Sequence, residues 1–258
     1  MKSYSLWDYT SNEIRAMAPG MVAVVPVGAV EQHGPHLPLG TDSIIVSAFA
    51  KRIEQRFGQE NYPALFLPLS PYGKSNEHQN YPGTITYSAQ TYQNVLMDIG
   101  RSCARAGFPK VVFLNAHGGN SEMLAVVTRE LRIETGIKAF SIQPSLLPRD
   151  RNRMGCEQMT ASEIRYGIHG GLVETSAILC ERGELVKTEL LQDATPTCFD
   201  QTEYLDFSGR MAFGWITEDV TKTGAVGNPE HASAQQGERW LTYVTGELYK
   251  AFLDILAY

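Results

Sequence analysis

The chain predicts an α/β fold, a three-layer αβα domain with a mostly parallel central sheet, and three observations carry that expectation. Four short apolar runs are continuous rather than alternating, as strands covered on both faces must be. Longer stretches with apolar residues three and four apart separate them, the pattern of repeated βαβ units. The length of 258 residues, with 43% hydrophobic and 19% charged side chains, suits one large globular unit spanning 1–258 rather than a disordered chain.

In chain order the strands are expected at 21–27 (MVAVVPV), 64–69, 111–115 (VVFLN) and 138–142, and helices at 43–58, 88–107, 120–136, 171–183 and 231–256. Ser88 and Asn120 stand where an N-terminal cap belongs, and Gly58, Gly107 and Gly136 where a left-handed residue would end a helix. Residues 144–169 have weak periodicity and read as a long loop holding at most a short helix, of the kind that covers a site. A second polar segment runs over 186–230. No repeat, low-complexity tract or long linker divides the chain.

Composition removes several classes of function. The 22 basic and 28 acidic residues leave a net charge of −6, and no Lys/Arg run offers a footprint for a phosphate backbone, so nucleic acid is not an expected partner. Cys103, Cys156, Cys180 and Cys198 form no CxxC pair and read as reduced, structural thiols of a cytosolic protein. The first residues, MKSYSLWDYTSNEIRAM, have no apolar core, and no run approaches the ~20 residues that span a bilayer. The expectation is a soluble, cytoplasmic protein. Neither a GxSxG elbow, an SxxK motif, a Walker lysine nor GxGxxG is present.

The chemistry concentrates in turns. His33 and His36 lie in VGAVEQHGPHLPLGTD, His78 in YGKSNEHQNYPGT, His117 in NAHGGN, His169 in IHGGLVETS and His231 in GNPEH. The first and third of these turns follow strands directly, and ligands of open α/β sheets bind outside the carboxyl ends of the strands. Glu31 and His33, two residues apart, project to one side of an extended segment, and Asp42 returns at a helix start. Imidazole and carboxylate together suit zinc, manganese, iron or nickel rather than calcium. With His117 and Glu174 the set holds two histidines and three carboxylates, enough for two ions about 3.5–4 Å apart sharing Asp42. Taken singly, each of these residues is as well explained by a backbone hydrogen bond or a helix-start charge; it is their joint placement beside glycines that favours a site. His78 is a candidate substrate contact, His36 a loop-orienting residue, and His231 a helix cap or subunit contact. The glycines of NAHGGN, Gly118 first, offer free backbone N–H groups to a substrate.

The motifs VPVGAVEQHGPHLPLGTD, YPGT, VVFLNAHGGN, HGGLVETS and TGAVGNPEHAS, in that order over about residues 5–250, together resemble the creatininase (creatinine amidohydrolase) family. The resemblance implies an α/β domain with a mostly parallel sheet, two divalent metals (Zn, Mn or Fe) at the strand ends, hydrolysis of C–N bonds, and a homo-oligomer, commonly a hexamer built as a trimer of dimers. It implies Glu31 and His117 as ligands of one ion, His33 as a ligand of the other and Asp42 as the bridge. Creatininase carries a further carboxylate ligand two residues after the histidine of its NGH turn, where this chain has Gly119; Glu174 is the expected replacement. His169 corresponds to the histidine that shuttles the proton, with Glu174 beside it in the same motif. Ser75, Glu77 and His78 resemble a substrate-side loop. Creatininase lines its pocket with tryptophans before the HGG motif, whereas no Trp occurs here between Trp7 and Trp215, and Arg165 precedes the motif instead. An arginine there suits an anionic substrate. The expected function is therefore hydrolysis of a small cyclic or linear amide by water activated between two ions. Two alternatives stay open: a non-catalytic binding or assembly subunit, and a hydrolase of a non-amide bond such as that of a cyclic ketone.

Overall fold

A computed structural model of the chain describes residues 3–148, 159–207 and 211–258. In order, the regular elements are α1 (Ser11–Met17), β1 (Val22–Val27), α2 (Thr41–Glu60), β2 (Ala64–Phe66), α3 (Ala89–Ala106), β3 (Lys110–Asn115), α4 (Ser121–Thr135), β4 (Lys138–Ile142), α5 (Ala161–Tyr166), α6 (Leu172–Arg182), α7 (Thr217–Val220) and α8 (Ala234–Ala257). The strands form one parallel sheet in the order β2-β1-β3-β4. Val22 pairs with Ala64 on one side and Lys110 on the other.

Every β1 residue is buried because helices cover both faces. Val22 and Val24, with Val112 and Leu114 of β3, face a core shared with α2, α6 and α8. Ala23, Val25 and Val27, with Val111 and Phe113, face a second core completed by α3 and α4. Alternate side chains of one strand thus enter opposite layers, which is why the strands read as unbroken apolar runs. The chain leaves β1 for β2 on one flank and later enters β3 on the other, so the order reverses between β1 and β3. The carboxyl ends of those two strands form the switch-point crevice.

Some boundaries differ from the sequence expectation for identifiable reasons. β2 ends at Phe66 because Pro68 has no N–H to continue the ladder; pairing resumes where Ser70 N donates to Pro26 O at 2.9 Å. Helix α2 runs through Gly58 and ends instead at Asn61, whose φ of 53° supplies the left-handed cap. Gly107 and Gly136, with φ of 96° and 76°, do end α3 and α4. Ser88 caps α3 by accepting from Thr91 N at 3.2 Å. Asn120 caps nothing: its backbone is already helical, and its side chain serves the site described below. His231 is exposed and does not cap α8, which Ser233 caps by accepting from Gln236 N. Helix α1 has a T-x-x-E capping box, Thr10 with Glu13, in a stretch whose weak apolar pattern had shown no helix. The 144–169 loop contains α5; its middle, with Cys156, lies outside the described residues. The other three cysteines are free thiols. Among the described residues no helix is long and apolar enough to cross a membrane.

Candidate metal centre

Each chemical side chain reaches the crevice by its own local device. After β1 the chain turns beneath α2: Ser43 Oγ donates to Ala29 O at 2.9 Å, and a Cβ on Gly28 would stand 2.7 Å from Ser43 Oγ. Only glycine lets the strand end approach the first turn of α2, which is what brings Asp42 over Glu31. After β3, Asn115 closes its own turn, accepting from His117 N at 3.1 Å and donating to His117 O at 2.7 Å. Asn120 ties three turns together. It donates to Gly28 O and Asn115 Oδ1, both at 3.2 Å, and accepts from Lys74 N at 3.0 Å.

The result is a buried array of imidazoles and carboxylates. His33 Nε2 is 3.3 Å from Asp42 Oδ1, 3.8 Å from Glu31 Oε1 and 3.9 Å from Glu174 Oε2. His117 Nδ1 is 3.2 Å from Asp42 Oδ2, and its Nε2 is 3.3 Å from Glu31 Oε2. Asp42 therefore faces one histidine with each oxygen. Glu31 is fully buried, yet both its oxygens lack a hydrogen-bond partner, as do His33 Nε2 and Asp42 Oδ2. Four orphaned polar atoms aimed at one another are costly in a protein interior and are the ordinary condition of a metal site without its metal. Donor sets for an ion are Glu31, Asp42 and His117; His33, His169 and Glu174; and Glu31, His78 and His169.

Electrostatics follow the same geometry. Burial would lower His33, but Asp42, then Glu174 and Glu31, outweigh it and raise the imidazole to about 9. Burial likewise opposes, and Glu31 and Asp42 enforce, a His117 well above its ordinary value. Asp42 is held well below the carboxylate range by His33 and His117 despite its burial. Burial raises Glu174 to about 7 against the pull of His33, and it raises Glu77 as well.

Three imidazoles stack: His33 on His169 at 4.0 Å between centroids, and His169 on His78 at 4.2 Å. Burial, then the neighbouring histidines His33 and His78, hold His169 well below its usual value. Its Nε2 donates to Gln32 O at 2.6 Å, which fixes the tautomer and leaves the Nδ1 lone pair facing Glu31 Oε1 at 3.6 Å. Burial lowers His78 to about 4; its Nε2 is 3.5 Å from Glu31 Oε1. Glu174 also accepts from Gly170 N at 2.7 Å, so it closes the loop before α6 while reaching His33.

The remaining sequence candidates divide. Ser75 is buried, with Oγ 3.3 Å from His117 Nε2, so it touches that histidine and not the open cavity. Glu77, His78 and Gly118 line the cavity. His36 lies off the site, bonded to Thr175 Oγ1 at 2.9 Å. Arg165 is not brought to the cavity: its Nη2 and Nε donate to Asp206 Oδ2 at 2.9 and 3.2 Å, and it stacks on Tyr166. Its charge is matched where it stands, and among the described residues no arginine lines the cavity.

Sequence reasoning overlooked three groups. Gln32, inside the EQHG motif, accepts from Gly34 N at 2.8 Å and donates to Gly224 O at 3.0 Å, with His78 Nδ1 2.8 Å away; its place between Glu31 and His33 was the available signal. Glu163 on α5 accepts from Leu172 N and Asn228 N, both at 2.7 Å, and so fastens the start of α6 to a distant loop. Phe207, Phe213 and Trp215, from the polar 186–230 segment, form an aromatic wall of a cavity of about 750 Å³ that has Glu31, Asp42 and His117 in its lining. Only folding brings that wall to the site.

The chain is similar to known proteins over most of its length. The family model described as creatinine amidohydrolase matches residues 7–252. A mycofactocin precursor peptide peptidase of Mycolicibacterium smegmatis is 33% identical over 231 residues, covering 89% of this chain and 83% of its own. A creatinine amidohydrolase of Pseudomonas putida is 30% identical over 201 residues, covering 72% and 74%. Among solved structures, a creatininase designated with Mn superposes with a TM-score of 0.79 at 25% identity over 99% of both chains.

Proposed function

The chain belongs to the creatininase family of hydrolases, and from that premise we propose that it hydrolyses a C–N bond of an amide with water activated between two divalent ions. The observation that carries the proposal is the set of orphaned atoms on Glu31, His33 and Asp42. Glu31, Asp42 and His117 would hold one ion; His33, Asp42 and Glu174 would hold the other, with Asp42 shared. When bound, such ions polarise a carbonyl and lower the pKa of water to about 7, which supplies hydroxide at neutral pH without a serine or cysteine nucleophile.

The protein's own groups do the rest. His169, neutral and with its Nδ1 lone pair open toward Glu31, takes a proton from the attacking water and returns it to the departing nitrogen. Gln32 holds His169 and, with Thr217 Oγ1 at 2.6 Å from His78 Nδ1, positions His78 against Glu31. Gly118 presents backbone to the substrate at the cavity edge. The cavity of about 750 Å³ with its Phe213 and Trp215 wall is far roomier than a small cyclic amide fills and lies in the range for extended organic ligands. A peptide or aryl-substituted amide fits that space better than creatinine, in line with the peptidase relative.

The test is metal content per protomer before and after mild chelation, together with turnover of N-formyl amines and short aromatic peptides. About two ions per chain and turnover in the wild type, both lost in Asp42→Asn, support the proposal. An Asp42→Asn protein that keeps its metal and its activity refutes the bridging role, and a wild type that binds metal but hydrolyses nothing tried points to a binding subunit.

A further inference from the structure

Glu163 encloses the turn that carries His169. Its backbone O accepts from Gly167 N at 2.8 Å, and its side-chain Oε1 accepts from Leu172 N at 2.7 Å. Residues 167–172 are therefore a loop whose two ends are held by two atoms of one residue, with His169 between them. Oε2 of the same carboxylate accepts from Asn228 N at 2.7 Å. Just before Asn228, Val226 pairs with His169 as an isolated antiparallel bridge. Val226 N donates to His169 O at 2.7 Å, and His169 N donates to Val226 O at 3.1 Å. The carboxylate thus joins both segments that hold the His169 backbone. Glycines make room for it: a Cβ on Gly167 or Gly171 would stand 2.3 Å from Oε1, and one on Gly227, whose φ is 144°, would stand 3.0 Å from Oε2. Glu163 is buried, and among the described residues no Lys or Arg pairs with it. A helix start alone is served by a neutral side chain, as Ser88 and Ser233 serve α3 and α8. A buried carboxylate without a cation is costly, and what it adds is a second acceptor oxygen that holds two chain segments at once. Glu163 lines the cavity, but both its oxygens are committed to backbone.

We propose that Glu163 is the positioning residue of His169, tying the 167–172 turn to the 226–228 segment so that the imidazole keeps its place between His33 and His78. His169 stacks on those rings at 4.0 and 4.2 Å between centroids, and its Nε2 donates to Gln32 O at 2.6 Å. Releasing the turn frees that ring N–H and lets the Nδ1 lone pair leave Glu31 Oε1, 3.6 Å away. The inference rests on the proton-carrying role given to His169 under the proposed function, and the experiment separates the two.

Wild type, Glu163→Gln, Glu163→Ala and Leu131→Ala are compared. Leu131 is fully buried in the core beneath α3 and α4, so its truncation destabilises the protein without touching the clamp. In the chelated proteins, NMR of labelled histidine reads the His169 ring N–H, assigned by its loss in His169→Gln, and its exchange with solvent. Circular dichroism and thermal melts establish that each variant folds. In the Mn²⁺-loaded proteins, kcat and KM are measured on N-formyl amines and short aromatic peptides. Glu163→Gln, which keeps one acceptor oxygen, should speed exchange of the ring N–H by about 10-fold or more and lower kcat by about 10–100-fold, with KM changed by less than about twofold. Glu163→Ala should go further in both, and Leu131→Ala should leave both as in wild type. A ring N–H unchanged in both Glu163 variants, or lost equally in Leu131→Ala, overturns the inference and leaves the hydrolase reading standing. A freed ring N–H with wild-type kcat shows that His169 carries no proton in the reaction, and that reading falls together with this inference. The ring exchange needs no substrate, so it decides the positioning role whichever amide is turned over.

Discussion

Metal uptake by the chelated protein should release protons, and more so the lower the pH. His33 is fully buried against Asp42, Glu174 and Glu31 and is raised to about 9, so at pH 7 the metal-free protein carries it protonated. An ion can be accepted only by the neutral ring. Removing that proton two pH units below its pKa costs about 2.7 kcal/mol at 1.36 kcal/mol per unit, a ~100-fold weaker affinity at pH 7 than for the fully neutral ring and ~50-fold weaker than at pH 9, where the ring is half neutral. His117, also raised, makes the dependence steeper than tenfold per pH unit. Calorimetric titration with Mn²⁺ at pH 7, 8 and 9, each in two buffers of different ionisation heat, measures affinity and protons released together. At least one proton per chain at pH 7, falling toward pH 9, is the expected result; no release at pH 7 with equal affinity at pH 7 and 9 would refute the electrostatic account of the site. The metal-free fold should show the opposite trend. A histidine raised in the folded state stabilises it fully below the unfolded value of 6.5 and ceases to do so as pH rises through about 9. Urea denaturation of the chelated protein should therefore show stability falling between pH 6.5 and 9.

Three further outcomes are expected. Gly237→Ala places a Cβ 2.0 Å from Ser176 O, backbone of α6 that cannot turn aside; a cost of about 3 kcal/mol lowers the melting midpoint by roughly 6–12 °C, while Gly100→Ala, which meets the buried Leu131 side chain from Cδ1 at 2.3 Å to Cγ at 3.0 Å, should cost less in the same melt because a side chain can shift where backbone cannot. His36 is lowered to about 4 by burial, so its contribution is present above pH 6.5 and lost as pH falls through 4; His36→Gln should have a flatter stability profile than wild type across that window. Glu163→Gln keeps one oxygen acceptor where two N–H groups, of Leu172 and Asn228, were served; a loss of about 1–3 kcal/mol and faster amide exchange at Leu172 or Asn228 are expected, and unchanged exchange at both would show that the carboxylate is not the clamp.

The sequence by itself determined the sheet and named most of the candidate donor groups that the fold brings together. Val22–Val27 and Val111–Leu114 are apolar on every residue because both faces are covered, and such two-sided burial leaves an unbroken run that a reader can find. Glu31, His33, Asp42 and His117 were legible because each stands beside a glycine or a helix start at a strand's carboxyl end, where local geometry and ligand chemistry coincide. Boundaries governed by a single bond were less legible: Gly58 passes through α2 because nothing there needs a positive φ, and Asn120 abandons the cap because three turns compete for its amide. The tertiary structure alone decided what depends on separations of tens to hundreds of residues. Arg165 is neutralised by Asp206, forty-one residues on; Gln32 reaches Gly224 O, 192 residues on; and Trp215 arrives at a site built from residues 31 to 174. Periodicity and motif spacing report only on neighbours along the chain, whereas a charge, an amide or an aromatic ring is committed by whichever distant group folding sets against it.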